Sequence, residues 1–377
     1  MKQRNFRLTI ALIAVVLFAA NTLAFAQSGT WAFTGSVRGS RDGHTANLLP
    51  DGTVLAAGGE LNGAALNSSE VYSASTLSWS TVGNLNVARN NASSVVLPVG
   101  SAMVIGGCSG NCQSSTLASA EIYNATTRAW TSTGSMSTAR AYFGAAMLST
   151  GKILVAGGCT SFNANGCAAV TAKAEIYDPS TGKFSATGSL AVARASFGIA
   201  ALANGKVLIA GGETAAADGL SSSEIYDPST GKFTLTGKLN VARGEHKAIL
   251  LSTGNVLVVG GVDSTGASTL KTETYNPSTG KWTLSGNLNN SRVDFGMAML
   301  SSGNVLISGG TKVTLTTNTV LSSAESYNPS TGVWSKTGSL KNARTGHTST
   351  RLNSGLVLDA SGSGSTQDLT SAEVYTP

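Results

Sequence analysis

An arginine recurs seven times along this chain at steps of 48 to 54 residues, and every copy carries the same marks at fixed distances. The copies begin at Arg41, Arg89, Arg140, Arg194, Arg243, Arg292 and Arg344. A glycine stands 11 residues after each, and a Gly-Gly pair 17 after, from Gly58-Gly59 to Gly309-Gly310; the last copy has Ser361-Gly362. A Glu-x-Tyr follows at a variable distance, then an aromatic seven residues past the Tyr, then the next Arg ten residues on. A period of this size restricts the chain to a stacked or radial repeat, because one such unit cannot bury its apolar face alone.

The copy after Arg194 shows what the unit is. Residues 195–203 (ASFGIAALA) are mostly apolar, and Asn204-Gly205 is a hairpin signal. Val207 to Ala210 is a short apolar strand ending at Gly211-Gly212. Ser223-Glu224-Ile225-Tyr226 alternates as a half-buried strand does. In Asp227-Pro228-Ser229-Thr230-Gly231 the proline fixes φ and the glycine supplies φ > 0, so the chain turns into a fourth strand at Phe233. Four short antiparallel strands, repeated seven times without a helical period, predict an all-β, seven-bladed β-propeller.

Charged residues are only 12% of the chain, a composition that low-complexity segments also show. Position decides against disorder, since the repeat assigns 31 of the 45 glycines to turns and strand ends.

The first 26 residues read as a secretory signal peptide. Lys2, Arg4 and Arg7 precede an apolar stretch from Leu8 to Ala20, and Ala24-Phe25-Ala26 offers a small-x-small cleavage site. A membrane anchor is the competing reading, but Asn21 and Thr22 interrupt a span already short for a bilayer. Cleavage leaves residues 27–377 as the propeller, secreted or periplasmic, with no later membrane span and a net charge reduced from +6 to +3. The remaining cations form no basic run, which argues against nucleic acid as a partner.

The two ends of the chain are complementary. Trp31 stands ten residues before Arg41, as every other aromatic does before its Arg. The last Glu-x-Tyr, at Glu373, closes the chain where a fourth strand is due. The N-terminal strand is therefore expected to complete the last blade and close the ring. An open solenoid would leave these truncations unexplained.

Gly-Gly after an apolar strand, then Glu-x-Tyr and an aromatic seven residues on, resembles the kelch motif. Segments such as AEIYDPSTGKF, from Ala174 to Phe184, followed by ATGSLAVAR, are similar to bacterial exported kelch-repeat proteins. The resemblance implies a kelch propeller of the galactose-oxidase-like type; it does not by itself imply a function.

Only the step from the second Gly to the Glu changes length, through 11, 14, 17, 12, 12, 15 and 11 residues. This is the loop from the second to the third strand, so variation is expected on one face of the disc. Such loops serve recognition on a rigid scaffold or merely tolerate insertion, and the sequence leaves both open. Two of them hold all four cysteines. Cys108 with Cys112 and Cys159 with Cys167 read as local disulfides in an exported chain rather than as a zinc site, for which spacings of four and eight are poor.

The arginines match the Glu-x-Tyr glutamates in number, one of each per copy, which reads as one ion pair repeated around the ring rather than an anion-binding ring. The three positions after each Arg should approach the central funnel. They place His44, His246 and His347 at one equivalent position, together with Tyr142 and the carboxylates Asp42, Glu245 and Asp294. These seven residues are the candidate ligand-binding set; histidine replacing phenylalanine in inter-blade packing is the competing reading. A copper-radical oxidase site needs two His, two Tyr and a Cys joined to one Tyr, whereas seven of the eight tyrosines here belong to the repeat. Glu245-His246 could supply the acid and base of an epimerase-like site. The expectation is a monomeric, non-enzymatic binding module without cofactor or metal. Its partner would be a protein or an extracellular polymer such as carbohydrate, met by the variable-loop face. A small-molecule or sugar-acting enzyme with a funnel site is the alternative.

Overall fold

Each copy of the repeat folds as a four-stranded antiparallel sheet, and seven such sheets surround a central channel. The structure, a computed structural model, describes residues 29–377 apart from Val99, Asn111, Gln113, Ser114 and Asn165. Residues 1–26, read as a signal peptide, lie outside the described residues. The first blade runs outward from Thr45–Leu48 through Val54–Ala57 and Ser69–Ser73 to Ser78–Thr81. The fourth blade repeats this with Gly198–Ala201, Val207–Ala210, Ser223–Asp227 and Lys232–Leu235. In the seventh, Thr30–Thr34 pairs with Ala372–Thr376 from Thr30 opposite Thr376 to Thr34 opposite Ala372, so the N-terminal strand completes the last blade. Among the described residues, no helix is long and apolar enough to cross a membrane.

The core is divided into seven layers, one between each pair of adjacent blades. Leu154 and Ala156 of the third blade, for example, pack on Val207, Ile209 and Tyr226 of the fourth. The same arrangement closes the ring, where Ala360 and Leu358 of the seventh blade meet Val54, Ala56 and Tyr72 of the first. No blade buries both faces without its neighbours, so stability resides in the interfaces. The repeated aromatics add to this within each blade, from Trp31 against Tyr375 at 5.1 Å between ring centres to Tyr327 against Trp334 at 5.1 Å.

The Gly-Gly pair is a clamp between blades. The second glycine's N–H donates to the backbone carbonyl of the next blade's arginine in all seven interfaces, including Gly362 to Arg41 across the closure at 2.9 Å. A Cβ on Gly58 would lie 2.4 Å from the carbonyl oxygen of Arg89, so the first position admits little beyond glycine. Ser361, with φ at 59°, is the exception. Its hydroxyl accepts from the Arg41 N–H at 2.9 Å and donates to the Leu369 carbonyl at 2.8 Å. Left-handed backbone costs about 1–2 kcal/mol at a non-glycine residue, while two buried groups left without partners cost about 1–3 kcal/mol each. Ser361→Gly is therefore expected to destabilise by about 1–2 kcal/mol in chemical denaturation; a stabilised variant would contradict this balance.

The seven arginines are structural. Each is buried and pairs with its blade's Glu-x-Tyr glutamate at 2.8 to 3.1 Å. Arg194 also donates to the carbonyls of Gly211 and Ser222, and Glu224 accepts from the N–H groups of Ala191 and Val192. The pair thus fixes the connection between blades to the turn at the Gly-Gly corner. Both expected disulfides form, Cys108 with Cys112 and Cys159 with Cys167.

Candidate functional site

The inner strands start later than the apolar pattern of the sequence implies, and the reason defines the site. In the fourth blade the ladder begins at Gly198, not at Ala195, because Ser196 has φ at 50° and turns the chain out of extended conformation. The second residue after every arginine does the same. Gly43, Asn91, Tyr142, Ser196, Glu245, Asp294 and Gly346 all lie between 49° and 61°. Several of these residues are linked from blade to blade, the N–H of Glu245 donating to the carbonyl of Ser196 and that of Ser196 to the carbonyl of Tyr142. The result is a collar around the channel. Glycine accepts this conformation freely, whereas the five other residues hold it at a cost of about 1–3 kcal/mol each.

The residue before each collar position pairs with the first residue after Gly-Gly, as Asp42 does with Glu60, Ala195 with Glu213 and Val293 with Thr311. The collar and the variable loops therefore occupy one face. Among the described residues, three of the loops form small hairpins, the largest being Cys159–Asn163 with Gly166–Val170. Its Phe162 reaches the collar and packs on Tyr142 with 5.8 Å between ring centres.

The structure distributes the seven candidate residues over three settings. Tyr142, Glu245 and Asp294 stand on the collar and open onto the funnel, Tyr142 being 40% exposed. Asp42 lies at the rim, where its carboxylate accepts from the Ser363 hydroxyl at 2.6 Å. The histidines, one residue beyond the collar, are buried between blades at the position that Phe143, Phe197 and Phe295 occupy elsewhere. His44 Nε2 faces the Thr348 hydroxyl at 3.0 Å, and His246 Nε2 accepts from the Gly198 N–H at 3.1 Å. His347 Nε2 faces Asp359 Oδ2 at 3.2 Å. Burial lowers the proton affinity of all three rings, so they pack as neutral imidazoles.

The collar is acidic. Burial, then the neighbouring carboxylates Asp294, Glu213 and Asp218, raise the Glu245 pKa to about 8. Burial raises Asp42 to about 6, with Asp294 and Glu60 adding to the effect. Asp294 and Glu213 are also raised, burial being the main cause for each. Glu245 and Asp294 are open to water yet crowded by protein, and the Asp294 charge bears on Glu245, which is the electrostatic condition of a functional cleft. The phenol of Tyr142 is pushed up by burial and by the same carboxylates, and remains a hydrogen-bond donor.

Below the collar lies a cavity of about 370 Å³, within the range of small-molecule sites. It is lined by Tyr142, Asp294, His44 and His347, with Ser93, Ser349 and Lys247 deeper in. His246 is not among its walls. Sequence reasoning missed two residues here. Lys247 lines the cavity, and Asp359 is a fully buried carboxylate that accepts from the hydroxyls of Ser308 and Ser349. Both were detectable by aligning the repeats: Lys247 falls where the other copies have Thr45, Ser93, Gly144, Gly198, Gly296 and Thr348, and Asp359 where they have Ala or an aliphatic.

Residues 100–137 match the Kelch motif. A search of curated proteins finds no match. Among solved structures the chain is similar to a fungal alcohol oxidase of the AA5 family in complex with copper. The two share 17% identity at a TM-score of 0.71, over 93% of this chain and 76% of that one. At that identity the likeness concerns the fold. Copper ligation does not fit the residues here: among the described residues no three His, Cys, Asp or Glu side chains converge as metal ligands, and the histidine Nε2 atoms already face other partners.

Proposed function

We propose that this kelch-repeat propeller is a binding module that engages a protein or extracellular polymer through the face carrying the variable loops and the funnel mouth. One observation carries the reading: the departures from the repeat converge there. The loops of unequal length, both disulfides, the Tyr142–Phe162 pair and the acidic collar share that face. The propeller fold itself supports an interaction module, and recognition on such scaffolds is placed in loops held by rigid strands. The signal-type N-terminus and the two disulfides are consistent with an exported chain, secreted or periplasmic and acting as a monomer. The disulfides close loops of only a few residues, so their main effect is to preorganise the loops they close.

The test is binding of the full chain to a panel of purified extracellular polysaccharides and exported proteins. Replacing Cys159 and Cys167 by Ser is expected to weaken binding about 10-fold, equivalent to about 1.4 kcal/mol, while thermal midpoint changes little. Binding that is indifferent both to this change and to shortening of the 159–170 hairpin would refute the reading.

A further inference from the structure

Among the described residues, one lysine lines the channel. Lys247 is the first residue of the inner strand Lys247–Leu250 and projects into the cavity below the collar. Its Nζ lies 5.7 Å from the centre of the Phe295 ring and, among the described residues, makes no hydrogen bond or ion pair. The groups that act on it through space are Asp294, Asp359 and His347. Asp359 is already committed to Ser308, Ser349 and His347. The Asp294 carboxyl group makes no hydrogen bond among the described residues and lines the same cavity. A lysine in such a place is either a counter-ion for the collar or a free amine with a task. The absence of an ion pair at Nζ inside a ligand-sized cavity favours the second role, and burial, the largest influence on Lys247, lowers its proton affinity in the same direction.

We infer that the channel is a carbonyl-capture site in which Lys247 Nζ condenses with a small neutral aldehyde or ketone entering between Tyr142, Glu245 and Asp294. The unprotonated amine adds its lone pair to the carbonyl carbon; the C–N bond forms as the C=O π pair moves to oxygen, which takes up a proton. The carbinolamine nitrogen then loses one proton, balancing the one taken up by oxygen. The hydroxyl leaves as water with a proton from a carboxyl group as the nitrogen lone pair forms the C=N bond, and the iminium N–H returns a proton to the carboxylate. Amine and carbonyl become imine and water, and hydrolysis reverses every step. Asp294, whose carboxyl keeps its proton to higher pH than usual, is the group in the cavity able to give and take back that proton. The cavity volume limits the ligand to a compact molecule. Among the described residues the mouth presents the carboxyl groups of Asp42, Glu60, Glu245 and Asp294 and no cation, so it offers an anion no counter-charge, and a neutral carbonyl compound is favoured over an oxo acid.

Reductive trapping of the full chain tests this directly. The protein is incubated at pH 7 with glyceraldehyde and cyanoborohydride, and alkylated lysines are mapped by peptide mass spectrometry. Lys247 is expected to be labelled several-fold faster than the exposed Lys183, Lys232 and Lys281, because it stands unpaired in the cavity and burial lowers its proton affinity. Anionic glyoxylate should label Lys247 more slowly than glyceraldehyde does, and Asp294→Asn should slow the glyceraldehyde reaction at Lys247 alone. Labelling of Lys247 no faster than that of the exposed lysines would overturn the inference and identify Lys247 as a counter-ion. An unchanged rate in Asp294→Asn would overturn the assigned proton transfer. Neither outcome bears on the binding face, which is tested through the loops.

Discussion

Glu224→Gln is expected to destabilise the propeller by about 3–5 kcal/mol, the cost of leaving a buried guanidinium without its counter-charge. Arg194 and Glu224 are both fully shielded and sit 2.9 Å apart. The usual remedy, replacing both partners of a buried pair by apolar residues, should not work here. Arg194 satisfies the carbonyls of Gly211 and Ser222, and Glu224 satisfies the N–H groups of Ala191 and Val192. Arg194→Met with Glu224→Leu would orphan the Gly211 carbonyl and both N–H groups, at about 1–3 kcal/mol for each that stays dry, while the Ser222 carbonyl keeps the Gly211 N–H. The double variant is therefore expected to remain clearly destabilised, as read from the midpoint of urea unfolding followed by tryptophan fluorescence. A double variant as stable as the parent would show that the pair acts only by charge and that the backbone contacts contribute little.

That network also shows what a sequence with internal repeats reveals. Seven arginines and seven glutamates, one of each per copy, point to a pair made seven times, and the structure shows that pair in every blade although the variable loop sets the two partners 29 to 35 residues apart. The Gly-Gly sites and the aromatic before each arginine are legible for the same reason: an interface solved once is solved identically around a ring. The ring closure by Thr30–Thr34 follows from a strand missing at one end and present at the other.

The funnel was legible only in part, because position in the repeat does not by itself say which way a side chain points. Tyr142, Glu245 and His246 are near neighbours in the aligned copies, yet the left-handed turn at the collar sends the first two toward the axis and the histidine between blades. The pattern of polar residues after each arginine locates the region, but the φ angle that sorts it is invisible in residue types when non-glycine residues adopt it. Lys247 escaped notice because it lies one residue beyond the three positions after Arg243 that mark the funnel. Its distinction lies in contrast with the small residues of the other six blades, and only then does a lysine in a channel wall stand out.

The acidic collar should make the protein less stable at pH 8 than at pH 5, and Glu245→Gln should remove much of the difference. Glu245 holds its proton up to about 8 when folded, against 4.5 for the ordinary side chain. Between those values the native state keeps a proton that the unfolded chain has released, so stability falls as pH rises through that interval. Asp42, raised from 3.8 to about 6, acts in the same direction over a lower range. The full shift at Glu245 would amount to several kcal/mol if the carboxyl were sealed from water. Because it opens onto the funnel, the expected gain for Glu245→Gln at pH 8 is about 1–2 kcal/mol after solvent screening, with no gain at pH 5. Thermal midpoints of the two proteins at both pH values measure this, and equal midpoints at pH 8 would show that the collar carboxylates are solvated as ordinary surface groups. Glu245→Gly would add relief of the left-handed backbone, since Gly43 and Gly346 show that the collar accepts glycine in the same conformation. The fold itself thus requires neither the charge nor the side chain of Glu245. A gain in stability from either substitution would mark Glu245 as a residue held for binding at the funnel mouth.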